Sequence, residues 1–136
     1  MDTLSPKERS ERMSQVRGKN TKPELVVRRL VYSLGFRYRL HVSDLPGKPD
    51  LAFRKRKKAI FVHGCFWHRH DEICPLTRLP KTKIKFWETK FAENEERDRR
   101  NQAKLKIMGW QFLIIWECEL KNIEVLSKRI KKFLEK

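Results

Sequence analysis

Apolar residues follow two rhythms along this chain. Leu25, Val26, Leu30, Val31 and Leu34 recur at helical spacing. They follow the start signal Thr21-Lys22-Pro23-Glu24 and stop at Gly35. Ile123, Leu126, Ile130, Phe133 and Leu134 repeat the rhythm behind Asn122, predicting a last amphipathic helix with all five facing inward. Strand-like runs lie between: Phe36 to His41 at a sheet edge, Asp50 to Phe53, Ala59 to Val62, and Gln111 to Trp116. Thr82 is expected to cap a helix carrying Phe86, Trp87 and Phe91, with a second helical stretch from Glu93 to Met108 ending at Gly109. Ser5-Pro6-Lys7-Glu8 predicts an exposed helix near the N-terminus, closed by Gly18-Lys19-Asn20. The order α-α-β-β-β-α-β-α predicts a small mixed sheet with helices on both faces. Residues 1–136 are expected to form one domain, with residues 1–20 as a helical arm.

Charge changes this picture from a fold to a class of partner. Thirty-three Lys and Arg oppose 17 Asp and Glu, a net +16 spread along the chain. Such a surface attracts polyanions, nucleic acid first. No apolar run reaches transmembrane length and no signal peptide opens the chain, so a cytoplasmic, nucleoid-associated protein with no membrane contact is expected. In that compartment three cysteines argue against disulfides. The surface pattern suggests no apolar dimer patch, so a monomer is expected.

The strand run Ala59–Val62 ends in His63-Gly64-Cys65-Phe66-Trp67-His68-Arg69-His70. A core has no need for that density of imidazole and thiol, whereas strand ends of α/β proteins commonly carry chemistry. Cys65, His70, Cys74 and Cys118 suit a closed tetrahedral zinc site, with buried free thiols as the plainer alternative. Pro49 holds Asp50 at a strand entrance one hairpin before Val62 and His63. A carboxylate there, with the backbone carbonyl of Val62, suits a hard cation such as Mg2+. Phe66, Trp67 and Trp87 are candidates for stacking on or wedging between bases, and Trp87 equally fits a core ridge with Phe86 and Phe91. Asn94 and Asp98 share a helix face amid Arg97, Arg99 and Arg100. Asp98 can orient His68 as an acid–base partner, or the face is simply an ion-paired surface. The run Arg54–Lys58 reads as a hairpin turn, either solvated or touching phosphate.

Together these residues resemble the very short patch repair (Vsr) family of DNA mismatch endonucleases. The matching text is Asn20 to Glu24, Leu45-Pro46-Gly47-Lys48-Pro49-Asp50, Ile60 to His68, Phe86-Trp87, Asn94 with Glu96 to Arg100, and Gly109 to Cys118. The resemblance implies a restriction-endonuclease-like (PD-(D/E)xK-type) α/β core, with a histidine-bearing strand replacing the usual acidic-x-Lys element. It implies Asp50 as central Mg2+ ligand with the Val62 carbonyl, His68 as base or water-orienting group held by Asp98, and His63 at the metal's water or the phosphate. Glu24 is implied as an acidic helper. A structural Zn2+ is implied on Cys65, His70, Cys74 and Cys118, and an aromatic wedge of Phe66, Trp67 and Trp87 beside a T·G mismatch. Asn94 and Arg97 join them as candidate DNA contacts. The family often carries Thr where Val62 stands, so any hydroxyl role is missing here.

The expected function is therefore Mg2+-dependent nicking of double-stranded DNA 5′ to the mismatched thymine left by deaminated 5-methylcytosine, with other mismatch-repair proteins as possible partners. Two alternatives remain open from the residues: a restriction-type or structure-selective nuclease without mismatch preference, and a catalytically silent zinc-containing DNA-binding protein.

Overall fold

The computed structural model describes residues 21–68, 74, 77 and 82–135, with the side chain of Trp67 excepted. The N-terminal arm, His70 and most of the loop from 69 to 81 lie outside the described residues.

Helix α1 spans Lys22–Ser33. It begins as the sequence predicts, with the Thr21 hydroxyl accepting from the Glu24 N–H at 3.4 Å and Pro23 in the first turn. Gly35 ends it at φ +94°, a conformation that favours glycine. The edge strand is shorter than its hydrophobic pattern suggests: β1 is only Arg39–Leu40, and His41, at φ 48°, follows it with its N–H still donating to the Asp50 carbonyl at 3.3 Å. Strand β2 covers Leu51–Phe53 and β3 covers Lys58–His63. They are joined by a 3-10 turn at Arg54–Arg56 and by Lys57 in the left-handed region.

A four-residue helix, α2 at Cys65–His68, follows β3 directly. Helix α3 then runs unbroken from Ile84 to Ile107. Two helical stretches were expected here, the first capped by Thr82; instead Lys83 precedes a single helix, with no side-chain cap. No Gly or Pro lies between 82 and 108 to break it. Strand β4 is Gln111–Trp116, a 3-10 segment occupies Glu117–Lys121, and helix α4 spans Ile123–Glu135. Asn122 caps α4 through its side-chain oxygen, 3.2 Å from the Val125 N–H.

The sheet order is β1-β2-β3-β4. The first two pairings are antiparallel, and β3 pairs with β4 in parallel from Lys58↔Gln111 to His63↔Trp116. The parallel step needs a long crossover, which α3 supplies. Alternation along β2 and β3 separates two apolar clusters. Leu51, Phe53 and Ile60 join Val27, Val31, Ile115, Leu126, Ile130 and Leu134 under α1 and α4. Ala52, Ala59 and Phe61 join Val42, Leu45, Leu105 and Trp110 toward α3. Because β3 is covered on both faces, it reads as a continuous apolar run rather than an alternating one. Ile123 differs from expectation: it is 41% exposed at the start of α4, and Leu126, Ile130 and Leu134 carry the buried stripe.

The cationic run also differs from a uniform solvated turn. Lys58 is buried at the start of β3, its Nζ donating to the Phe133 carbonyl at 2.6 Å. Arg56 donates to the Leu134 carbonyl at 2.9 Å. The two cations cap the C-terminal end of α4, where unpaired carbonyls and the helix dipole favour positive charge.

Candidate active site

The chemistry collects where β3 and β4 end side by side. The turn from Leu45 to Asp50 brings the first carboxylate there. Leu45 and Pro49 are buried, and Lys48 N–H closes on the Leu45 carbonyl at 3.1 Å. Gly47 sits at φ +81°, and a Cβ there would lie 3.0 Å from the Phe61 ring. Only glycine lets the turn lie this close to β3. Asp50 is thereby aimed at the neighbouring strand, and its Oδ2 accepts the Val62 N–H at 2.6 Å. Val62 is thus held beside Asp50 through its N–H, next to the carbonyl that the sequence names as a cation ligand.

Asp50 has anionic company. Oxygens of Asp50 and Glu24 and a ring nitrogen of His41 all lie within 4.8 Å of one another. Burial, opposed by the Val62 N–H and reinforced by the Glu24 carboxylate, pushes Asp50 up to about 7. Glu24 is buried on α1, 3.0 Å from His41 Nε2 and 3.4 Å from the Arg28 guanidinium. Arg28 also lies 2.9 Å from His41 Nε2. His41 and Arg28 are site residues that sequence reasoning missed. Their signals were present but weak: Arg28 follows Glu24 at i,i+4 on one helix, and His41 closes the strand that pairs with β2.

Beside this group stands a second one. His68 Nδ1 and Asp98 Oδ2 are 2.6 Å apart, linking α2 to α3. The His63 ring stacks on His68, with centroids 3.8 Å apart and planes 9° off parallel, and Trp116 meets its edge at 5.2 Å. Burial, aided by His68 and opposed by Asp98, holds His63 down at about 3. His63 is therefore a neutral imidazole near neutral pH. Its buried Nδ1 has no hydrogen-bond partner among the described residues. The Nδ1 of His68 faces Asp98, so an Nδ1–H tautomer leaves Nε2 as a basic lone pair.

The third group is the thiols. The sulfurs of Cys65, Cys74 and Cys118 lie within 4.8 Å of one another, and none is in a disulfide. Burial pushes Cys65 up to about 12 and raises Cys118 as well. Two thiolates on a tetrahedral zinc stand about 3.8 Å apart, inside that limit, so this soft donor set fits such an ion. His70 lies outside the described residues. The Cys65 N–H donates to Glu117 Oε1 at 3.1 Å, tying the head of α2 to the end of β4.

The remaining candidates lie around this core. Phe66 packs edge-on against Trp87 at 5.3 Å and Phe91 at 5.2 Å, half-buried between α2 and α3. Phe86 continues the group and is 51% exposed. Asn94 is buried and accepts from the exposed Arg97.

A paired carboxylate and a carboxylate–imidazole couple, gathered at the carboxyl ends of parallel strands in a basic α/β protein, define the class: a hydrolase site with hard-cation donors, suited to an anionic substrate. The comparisons with known proteins make the class specific. The family model described as DNA mismatch endonuclease Vsr matches residues 1–74. The type II nicking enzyme V.XorIIP of Xanthomonas oryzae pv. oryzae is 46% identical over 134 residues, 98% of this chain and 97% of that protein. The type II nicking enzyme V.NmeAIP of Neisseria meningitidis is 38% identical over 133 residues, 98% of this chain and 94% of that protein. The DNA mismatch endonuclease Vsr of Escherichia coli is 39% identical over 119 residues, 88% of this chain and 75% of that protein. The chain belongs to the Vsr family of DNA endonucleases.

Proposed function

We propose that this endonuclease nicks duplex DNA 5′ to the thymine of a T·G mismatch, on a restriction-endonuclease-like core, with catalytic Mg2+ and a structural Zn2+ stapling the loop after β3. The observation that carries the reading is Asp50, fixed by Val62 N–H and grouped with Glu24, within the electrostatic reach of His68 of the His68–Asp98 couple. Asp50 and the Val62 carbonyl, with Glu24 as acidic helper, would hold the Mg2+, which supplies charge stabilisation at the phosphate and acidifies water when bound. Cys65, Cys74, Cys118 and His70 would hold the Zn2+.

The chain's own groups divide the remaining work. Asp98 fixes the His68 ring and stabilises its protonated form, as carboxylates do for catalytic imidazoles. His68 Nε2 takes the proton of the attacking water as the new P–O bond forms in line with the one that breaks. His63, kept neutral, can donate to phosphate through one nitrogen without competing for that proton. Phe66, Trp67 and Trp87 would enter the duplex beside the mismatch, and the exposed guanidinium of Arg97 would meet backbone phosphate. The relatives' names as nicking enzymes support single-strand cleavage.

The decisive assay compares T·G with T·A duplexes carrying a label on each strand, with Mg2+ and with EDTA. Nicking of the thymine strand of the T·G duplex alone, abolished by EDTA, is expected. Equal cutting of both duplexes would replace this reading with a nuclease lacking mismatch preference, and binding without cutting would replace it with a silent DNA-binding protein.

A further inference from the structure

At the other end of β4 from the active site lies a cavity of about 440 Å³. Lys106 from the end of α3, Trp110 and Phe112 at the start of β4, and Arg129, Lys132 and Phe133 from α4 line it. Trp116, at the far end of the same strand, packs on His63. Five residue steps of extended chain separate the cavity from the catalytic end by about 17 Å. The volume falls in the range of ligand pockets, roughly 300–1,000 Å³.

Three aromatic rings give the cavity an apolar floor, and the cations give it one sign of charge. Arg129 is already engaged, with both Glu119 oxygens 2.7 Å away. Lys106 leans over the Phe112 ring at 5.7 Å and is exposed, as is Lys132. Among the described residues no carboxylate lines the cavity. Next along the chain from Lys106, Ile107 is 86% exposed and Met108 47% exposed. Neither lines the cavity, but exposed aliphatic side chains at this end of α3 are of little use to a phosphate backbone, and are what a protein partner buries.

From this we propose that the cavity is a docking site for an acidic segment of a partner protein, one that inserts a large apolar side chain against Trp110, Phe112 and Phe133. The segment's carboxylates would face Lys106 and Lys132. Because the cavity opens at the opposite end of the sheet from the catalytic residues, a partner can sit there while DNA is engaged. The inference uses no part of the mismatch reading and stands apart from it.

The test uses the full chain labelled with 15N and a ten-residue synthetic peptide with a central Leu-Phe pair flanked by aspartates. The Trp110 indole signal, identified by Trp110→Phe, should shift saturably on titration. Lys106→Glu/Lys132→Glu should weaken binding at least tenfold and leave nicking within twofold of the parent. Lys132→Gln alone, a milder surface change, should weaken it several-fold. Replacing Leu-Phe by Ser-Ser should abolish the indole shift. Undiminished binding by the double variant would overturn the proposal, as would equal binding of the Ser-Ser peptide, which would reduce it to general attraction by a basic surface. A short oligonucleotide that shifts the same indole and blocks the peptide would overturn it too, assigning the cavity to nucleic acid.

Discussion

Strand β3 begins and ends on a buried ionisable side chain, and the two ends treat that side chain in opposite ways. At the start, Lys58 finds the carbonyls of Phe133 and Leu134 at 2.6 and 3.5 Å. Its charge is matched to a helix end, and the arrangement is structural. At the finish, His63 is equally buried, but its Nδ1 is unmatched among the described residues and a second imidazole is stacked on its face. Nearby, Asp50 shares its surroundings with another carboxylate. Buried polar groups are normally satisfied. The end where they are satisfied holds the fold together, and the end where like charges and an orphan nitrogen are crowded together is the candidate site.

That contrast is sharpest at Asp50. Asp50→Ala should lower nicking by more than about 1,000-fold while leaving duplex binding largely intact, read by single-turnover cleavage and a binding isotherm. A variant that nicks at the parent rate would remove Asp50 from the site. Next in size, Asp98→Asn keeps the shape of the couple but loses the charge that steadies protonated His68. Nicking should fall about 100-fold or more with the melting temperature little changed. Cys118→Ser should lower zinc stoichiometry and thermal stability together, and unchanged zinc content would break the assignment of the thiols.

The structural end should respond in the other currency. Lys58→Met leaves two helix-end carbonyls without their cation and should cost about 1–3 kcal/mol of stability by denaturant unfolding, with cleavage per folded molecule unaltered. A loss of nicking without loss of stability would erase the distinction between the two ends.

The remaining effects are pH-dependent and belong to the metal-free protein. His63, held at about 3 against an ordinary value of 6.5, contributes stability that is complete above pH 6.5 and is lost as pH falls toward 3. Asp50, raised from 3.8 to about 7, has the opposite sign: its contribution is complete below pH 3.8 and is lost as pH rises through 7. Asp50→Asn should therefore raise the stability of the metal-free protein at pH 8 by about 1–3 kcal/mol, while nicking disappears. A destabilised Asp50→Asn at that pH would show that the site stores no such strain.

What the sequence settled by itself was local. Thr21 with Pro23, and Asn122 with the 3.6-residue stripe behind it, announce their helices because a cap and a period are written within a few consecutive residues. The run from Ala59 to Val62 announces its strand for the same reason. The tertiary structure decided the matters that depend on partners far along the chain. That Lys58 is a helix cap rather than part of a solvated turn depends on α4, some 75 residues away. That His41 and Arg28 stand beside Glu24 and Asp50 depends on β1 pairing with β2 against α1. A side chain's charge is written in the sequence, but whether that charge is matched or left crowded is fixed only when distant segments meet, and here that difference separates the framework from the site.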